Sequence, residues 1–193
     1  KFREHVKDFV KEINGQFRLI IYDTEEEKFY VSSDKTGRKV IYYARTGENF
    51  QFSSHLKPLI SHQDIEPEIN PNGISDILKG WSASFGGGER LIKGIKRLEP
   101  SHIISYDGKK PDKEKFWEVY GEKQDISDEK AVERMDGLLT EGAEKLVEQS
   151  DGEINVFLSG GFDSTFLLAL LREVTDQEIN TYTWGWKEKH FKS

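Results

Sequence analysis

The chain has 193 residues, enough for one medium domain or two small ones, and its 35% hydrophobic content can support a packed core. A formal net charge of -7 argues against nucleic-acid binding by charge, which needs clustered Lys and Arg, and no apolar run is long enough to cross a bilayer. With no cysteine there are no disulfides and no thiolate metal sites, and the start Lys1-Phe2-Arg3-Glu4-His5 lacks the apolar stretch of a signal peptide.

Apolar residues at helical spacing predict a first helix over Arg3 to Glu12, with Phe2, Val6, Phe9, Val10 and Ile13 on one face. Runs of β-formers at Phe17 to Tyr22, Lys28 to Ser33, Lys39 to Tyr43 and Phe50 to Ser53 predict a meander with one buried face. Pro71 to Leu78 reads as a helix, with Asn70 as N-cap and Pro71 at its first position. Gly86-Gly87-Gly88 reads as a mobile connection, because no flanking Lys and no helix signal make it a ligand loop. Ile103 to Tyr106 predicts another strand, closed by Asp107-Gly108. The basic patches Lys93 to Arg97 and Lys109 to Lys115 are mixed with acids and read as solvated faces. Lys109 to Asp125 is polar and irregular, as a linker should be.

Ser127 to Gln149 predicts a helix whose Val132, Met135, Leu139, Ala143, Leu146 and Val147 recur at helical spacing, which reads as core packing. His5, His55, His62, His102 and His190 share no metal-ligand spacing. Ile154 to Leu158 is a short apolar run, expected as a strand buried on both faces, and Ile179 to Trp184 as a second, parallel one. Two parallel strands and one crossover helix cannot bury both faces, so this part reads as unfinished and the chain as a piece of a longer protein.

Between those strands lies Leu158-Ser159-Gly160-Gly161-Phe162-Asp163-Ser164-Thr165, opening into the apolar run Phe166 to Leu171. Gly160 and Gly161 permit positive φ and let a ligand approach bare backbone. Ser159, Ser164 and Thr165 supply hydroxyls, and the first turn of the helix offers unpaired N–H groups with the positive end of its dipole. An anion, a phosphate above all, suits such a turn. Asp163 fits beside a phosphate if Mg²⁺ lies between them; otherwise it reads as an N-cap. The spacing matches neither a Walker loop, nor a dinucleotide fingerprint, nor a nucleophile elbow.

The Ser-Gly-Gly-x-Asp-Ser order resembles the pyrophosphate loop of the ATP pyrophosphatase superfamily. The first half of the chain narrows the resemblance: Asn14 to Asp23, Lys28 to Tyr43, Phe52 to Leu59 and Leu91 to His102 together resemble the later part of the glutaminase domain of glutamine-hydrolysing asparagine synthetases, running into their synthetase domain. The chain departs from the family's usual residues at Ser33, at Lys39-Val40-Ile41, at His55, at Phe162 and at Thr165.

The resemblance implies an α+β part followed by an α/β part. Residues 1–119 would be the C-terminal part of an Ntn-type glutaminase sandwich, an antiparallel sheet with helices, plus its linker. Residues 120–193 would begin a parallel-sheet, adenine-nucleotide-hydrolase-like synthetase domain. It also implies ATP and Mg²⁺, with Ser159, Gly160, Gly161, Ser164 and Thr165 on the β and γ phosphates, Asp163 helping to hold the metal, and the backbone near Leu158 and Trp184 at the nucleoside. The Trp184 indole could equally pack in a core. The substrates implied are ATP, an aspartate-like carboxylate and glutamine or ammonia, in a cytoplasmic enzyme with no nucleic-acid or membrane partner, for which a homodimer is one assembly the resemblance allows. The family's glutaminase nucleophile is an N-terminal cysteine, which this chain lacks, so it should not hydrolyse glutamine by that route. A related β-lactam-synthetase-like enzyme, or a non-catalytic binding or scaffold module, are the other readings.

Overall fold

The structure, a computed structural model, describes residues 6–47, 49–78, 88–89, 91–121 and 125–185. The chain forms two compact units, Lys1–Gly121 and Glu122–Ser193.

In the first unit α1 (Val6–Glu12) precedes a hairpin of β1 (Arg18–Asp23) and β2 (Lys28–Ser33). A second hairpin, β3 (Tyr42–Thr46) and β4 (Asn49–Ser53), leads to α2 (Leu56–Ile60) and α3 (Pro71–Leu78). Strands β5 (Gly88–Glu89), β6 (Ile95–Arg97), β7 (His102–Tyr106) and β8 (Asp112–Lys115) follow. The two hairpins do not form one meander. They belong to separate antiparallel sheets, ordered β1-β2-β7-β8 and β4-β3-β6-β5.

The break between them has a local cause. Asp34, at the end of β2, accepts hydrogen bonds on its carboxylate from the N–H groups of Thr36 (3.1 Å), Arg38 (3.1 Å) and Lys39 (2.9 Å). Residues 34–40 therefore fold into a turn, and the strand expected from Lys39 begins only at Tyr42.

The two sheets face each other. Val31 and Ile104 of the first sheet share a core cluster with Ile41 and Leu98, against which Tyr43, Phe50 and Phe52 of the second sheet pack. The Phe50 ring lies 5.0 Å from that of Tyr106, and Phe52 lies 6.1 Å from Phe29, so aromatic rings span the layer. Ile103, next to Ile104, points the other way, to Val6 and Val10 of α1 and to Phe116. Ala44 and Ile95 meet Leu59 of α2 on the far side of the second sheet. The period-two alternation of β7 thus serves two cores at once, and the unit is layered helix, sheet, sheet, helix.

Two further expectations change here. The linker assigned to Lys109–Asp125 contains β8, whose four exposed charged residues pair with β7 and blunt the sheet edge. The glycine run is not one loop: Gly88 pairs with Arg97, while Gly86 and Gly87 lie outside the described residues. The helix at Pro71 stands as expected, with Asn72 N–H donating to Asn70 Oδ1 at 3.2 Å. Helix α1 is described from Val6, and residues 3–5 of the expected helix lie outside the described residues.

The second unit runs α4 (Asp128–Glu148), β9 (Ile154–Phe157), α5 (Phe162–Val174) and β10 (Ile179–Tyr182), with β9 and β10 paired in parallel from Ile154↔Ile179. Helix α4 starts at the Ser127 cap, whose hydroxyl accepts from Lys130 N–H. Its core is Ala143, Ile154, Val156, Leu170 and Leu171. β9 was expected to be buried on both faces, but it alternates, with Phe157 87% exposed on the side away from that core. The α4 stripe was expected to be core, yet only Ala143 is buried and Val147 partly so; Val132, Met135, Leu139 and Leu146 are exposed. The reason is geometric. Both helices contribute to one core on one face of a two-stranded sheet, and among the described residues of this unit no third layer covers their outer sides.

Candidate functional site

The turn between β9 and α5 is built by its hydroxyls. Ser159 N–H donates to Ser164 Oγ at 3.2 Å, and the Ser159 and Ser164 hydroxyls lie 3.0 Å apart. Ser164 Oγ donates to Gly161 O at 3.2 Å, and Gly161 N–H donates to Ser159 Oγ at 3.2 Å. Each hydroxyl has one proton, so the bookkeeping has one solution: the Ser164 proton goes to Gly161 O, and the proton between the two serines comes from Ser159. Thr165 Oγ1 adds a bond to Gly161 O at 2.9 Å. Three side chains, those of Ser159, Ser164 and Thr165, thereby hold the turn closed.

The two glycines differ in purpose. Gly160 has φ of +78°, a left-handed conformation that side-chain-bearing residues rarely adopt. Gly161, expected to share it, has φ -79° and ψ 163° and is the N-cap of α5. Its bareness matters for space, since a Cβ there would stand 3.3 Å from Ser159 Oγ. Because Gly161 is the cap, Asp163 is not. The carboxylate sits at the second helical position, exposed, in the first turn of α5. That turn leaves the N–H groups of Phe162, Asp163 and Ser164 without intrahelical acceptors, and the dipole of the 13-residue helix concentrates positive potential there.

Seven of the eight residues expected at the site, Leu158, Ser159, Gly160, Gly161, Asp163, Ser164 and Thr165, therefore meet in one turn. Trp184 joins them through the strand ends. Leu158 N–H donates to Tyr182 O at 2.8 Å and Thr183 Oγ1 to Leu158 O at 2.9 Å, and the indole that follows is 80% exposed, which removes the core-packing reading within this unit. Among the described residues no group of three His, Cys, Asp or Glu side chains could hold a metal by itself. Asp163 alone would offer Mg²⁺ one carboxylate oxygen, with phosphate and water oxygens completing the shell, and this is the usual pattern for that ion. The donor set of the turn fits the metal in that form only.

Two features were not anticipated. Met135, Leu138, Leu139 and Leu146 of α4 and Phe162 and Phe166 of α5 line an open apolar groove that reaches Asp163. The rings of Phe162 and Phe166 stack at 6.0 Å. In the first unit, Asp34 is almost fully buried inside its turn. Burial pushes its carboxyl up, but the bonds from Lys39 and Arg38 N–H and from the hydroxyl and N–H of Thr36 outweigh it, and the group titrates below the ordinary carboxylate value. The Asp-x-Thr-Gly order at Asp34–Gly37 is the sequence signal that could have found it.

Comparison with known proteins matches this division of chemistry. A glutamine amidotransferase domain model covers residues 1–117, and an asparagine synthase model covers residues 134–192. The glutamine-hydrolysing asparagine synthetase 3 of Bacillus subtilis is 28% identical over 98% of this chain and 32% of its own length. A provisionally named glutamine-hydrolysing asparagine synthetase 2 of Methanocaldococcus jannaschii is 30% identical over 95% of this chain and 36% of its own length. The glutamine-hydrolysing asparagine synthetase 2 of Bacillus subtilis is 25% identical over 91% and 24%. The chain thus spans about a third or less of the length of these curated relatives. The two models match successive stretches of the chain, residues 1–117 and 134–192, and the chain belongs to the asparagine synthetase family.

Proposed function

We propose that this chain is the middle of an ATP-dependent carbon–nitrogen ligase, which activates a carboxylate by transfer of AMP and amidates it with nitrogen from glutamine or ammonia. The names of the relatives point to aspartate as that carboxylate. Residues 1–119 belong to the glutaminase part, of Ntn type, and residues 120–193 open the adenine-nucleotide-hydrolase-like synthetase domain. Two antiparallel sheets between helices in the first unit support the former. A parallel β–turn–α–β unit with its turn at the strand's carboxyl end supports the latter, since ligands of open α/β sheets bind there.

One observation carries the proposal: a turn held closed by its own hydroxyls that turns its remaining N–H groups outward at a helix start. Ser159, Gly160, Gly161, Ser164 and Thr165 hold the β and γ phosphates, through backbone N–H groups and hydroxyls. Leu158 and Trp184 border the nucleoside. Asp163 holds Mg²⁺, which when bound neutralises phosphate charge. The chain's own contribution is electrostatic, because N–H groups fixed before the substrate arrives need no reorganisation when charge develops on phosphate oxygen.

Phosphorus NMR of ATP with Mg²⁺ tests this directly. Added chain should broaden the β and γ resonances more than the α resonance. The Gly160→Val variant, which cannot hold φ of +78°, should abolish the effect. Equal broadening of all three resonances, or none, would count against the phosphate role.

A further inference from the structure

The turn between β9 and α5 is anchored from outside by one side chain. Thr183, directly after β10, donates its hydroxyl proton to Leu158 O at 2.9 Å. That carbonyl belongs to the peptide unit joining Leu158 to Ser159, and the N–H of the same unit donates to Ser164 Oγ at 3.2 Å. A trans peptide is planar, so its C=O and N–H point in opposite directions and fixing one aims the other. Ser164 Oγ passes its own proton to Gly161 O, at the cap of α5. A single line of donors thus runs from the end of β10 through one peptide plane into the start of the helix, and bonds aligned in this way strengthen one another.

We infer that Thr183 is a positioning residue of the phosphate turn: its hydroxyl sets the plane of the Leu158–Ser159 peptide and so places the Ser159 and Ser164 hydroxyls before a polyphosphate arrives. This rests on the phosphate reading of the turn. Thr183 acts through Leu158 and not by touching the ligand. Donors that are already in place have no reorganisation left to undergo at binding, whereas a peptide plane free to rock must be ordered first. The effect is separable from strand stability. Thr183 is exposed and Leu158 half-buried, so water can reach the Leu158 carbonyl once the hydroxyl is gone, and no buried group is orphaned. Valine keeps the shape of threonine and its preference for extended backbone, so Thr183→Val removes the bond to Leu158 O and leaves β9 paired with β10.

Calorimetric titration of the full chain with tripolyphosphate and Mg²⁺, well below the melting transition, decides the matter for the unaltered chain, Thr183→Val and Thr183→Ser. Thr183→Val should bind about three- to tenfold more weakly, the span that one hydrogen bond of ordinary strength allows. Thr183→Ser keeps the hydroxyl and should bind as the unaltered chain does. Amide NMR without ligand gives a second reading: in Thr183→Val the Ser159 N–H should shift and exchange faster with water, while the amide of Val156, inside β9, should not change. Equal affinity of the unaltered chain and Thr183→Val for tripolyphosphate would overturn the positioning role and leave the phosphate reading standing, and an unmoved Ser159 amide would overturn it too. Failure of the unaltered chain to bind tripolyphosphate would overturn the phosphate reading and the inference with it. A Thr183→Val chain without a melting transition would mean that the hydroxyl holds the strands and not the turn, which also overturns the inference.

Discussion

Asp34 shows how one side chain sets the shape of the first unit. Its carboxylate takes three backbone N–H groups and the Thr36 hydroxyl, while Gly37 N–H and Ser101 N–H bond its carbonyl. The buried Arg97 donates to Gly37 O at 2.9 Å and Ser101 Oγ to Lys35 O at 2.7 Å, so the turn is tied from both sides. Asp34→Asn replaces an acceptor by a donor facing Lys39 N–H, which should cost about 2 kcal/mol or more near neutral pH. Because the folded carboxyl titrates below its ordinary value of 3.8, its contribution is full above that value and is lost as pH falls through the folded value. Urea midpoints of the two proteins should therefore converge toward acid. A gap that stays constant from neutral to strongly acid pH would show that the charge is not what matters. The sequence marks Asp34–Gly37 as a turn, but not that four donors converge on one carboxylate; that depends on Arg97 and Ser101, which lie more than sixty residues away.

At the scale of elements, the sequence pattern says which side of a helix is apolar and not what covers it. Ser127 as cap and the recurrence from Val132 to Val147 make α4 legible, and the helix is there from Asp128 to Glu148. Its burial was not legible, because covering the stripe takes a layer that the described residues of this unit do not supply. Strands β5, β6 and β8 escaped for a different reason: two to four residues, several of them charged, are too short for a legible period-two pattern, and they form by pairing β6 with β3, β8 with β7 and β5 with β6. The distinction between covered and uncovered residues is measurable. Leu171→Ala, in the core, should cost about 2 to 5 kcal/mol of the second unit's stability, while Val132→Ala, exposed on α4, should stay within about 0.5 kcal/mol. Comparable losses in chemical denaturation would mean that α4 is covered in solution.

For the molecule as a whole, the legible part of the site was the part whose chemistry lies in consecutive residues. Ser159 to Thr165 carry their own geometry, because the hydroxyls close the turn on backbone atoms no more than five residues away. The turn before α5 is closed by three hydroxyls, whereas before α2 Ser53 Oγ accepts from His55 N–H and before α4 Ser127 Oγ accepts from Lys130 N–H; on the proposed reading this puts the nucleotide in the second unit. On the proposed reading, Asp163 is the residue that distinguishes a nucleotide site from a bare helix start. It is not the cap of α5, so Asp163→Asn removes a charge without removing a capping bond, and the melting temperature should hold. The affinity of the full chain for ATP, measured by calorimetry with Mg²⁺ and again with the metal chelated, tests the account most directly. The unaltered chain should bind ATP at least tenfold more tightly with Mg²⁺ than without, and Asp163→Asn should lose most of that difference; an Asp163→Asn chain as sensitive to Mg²⁺ as the original would contradict it.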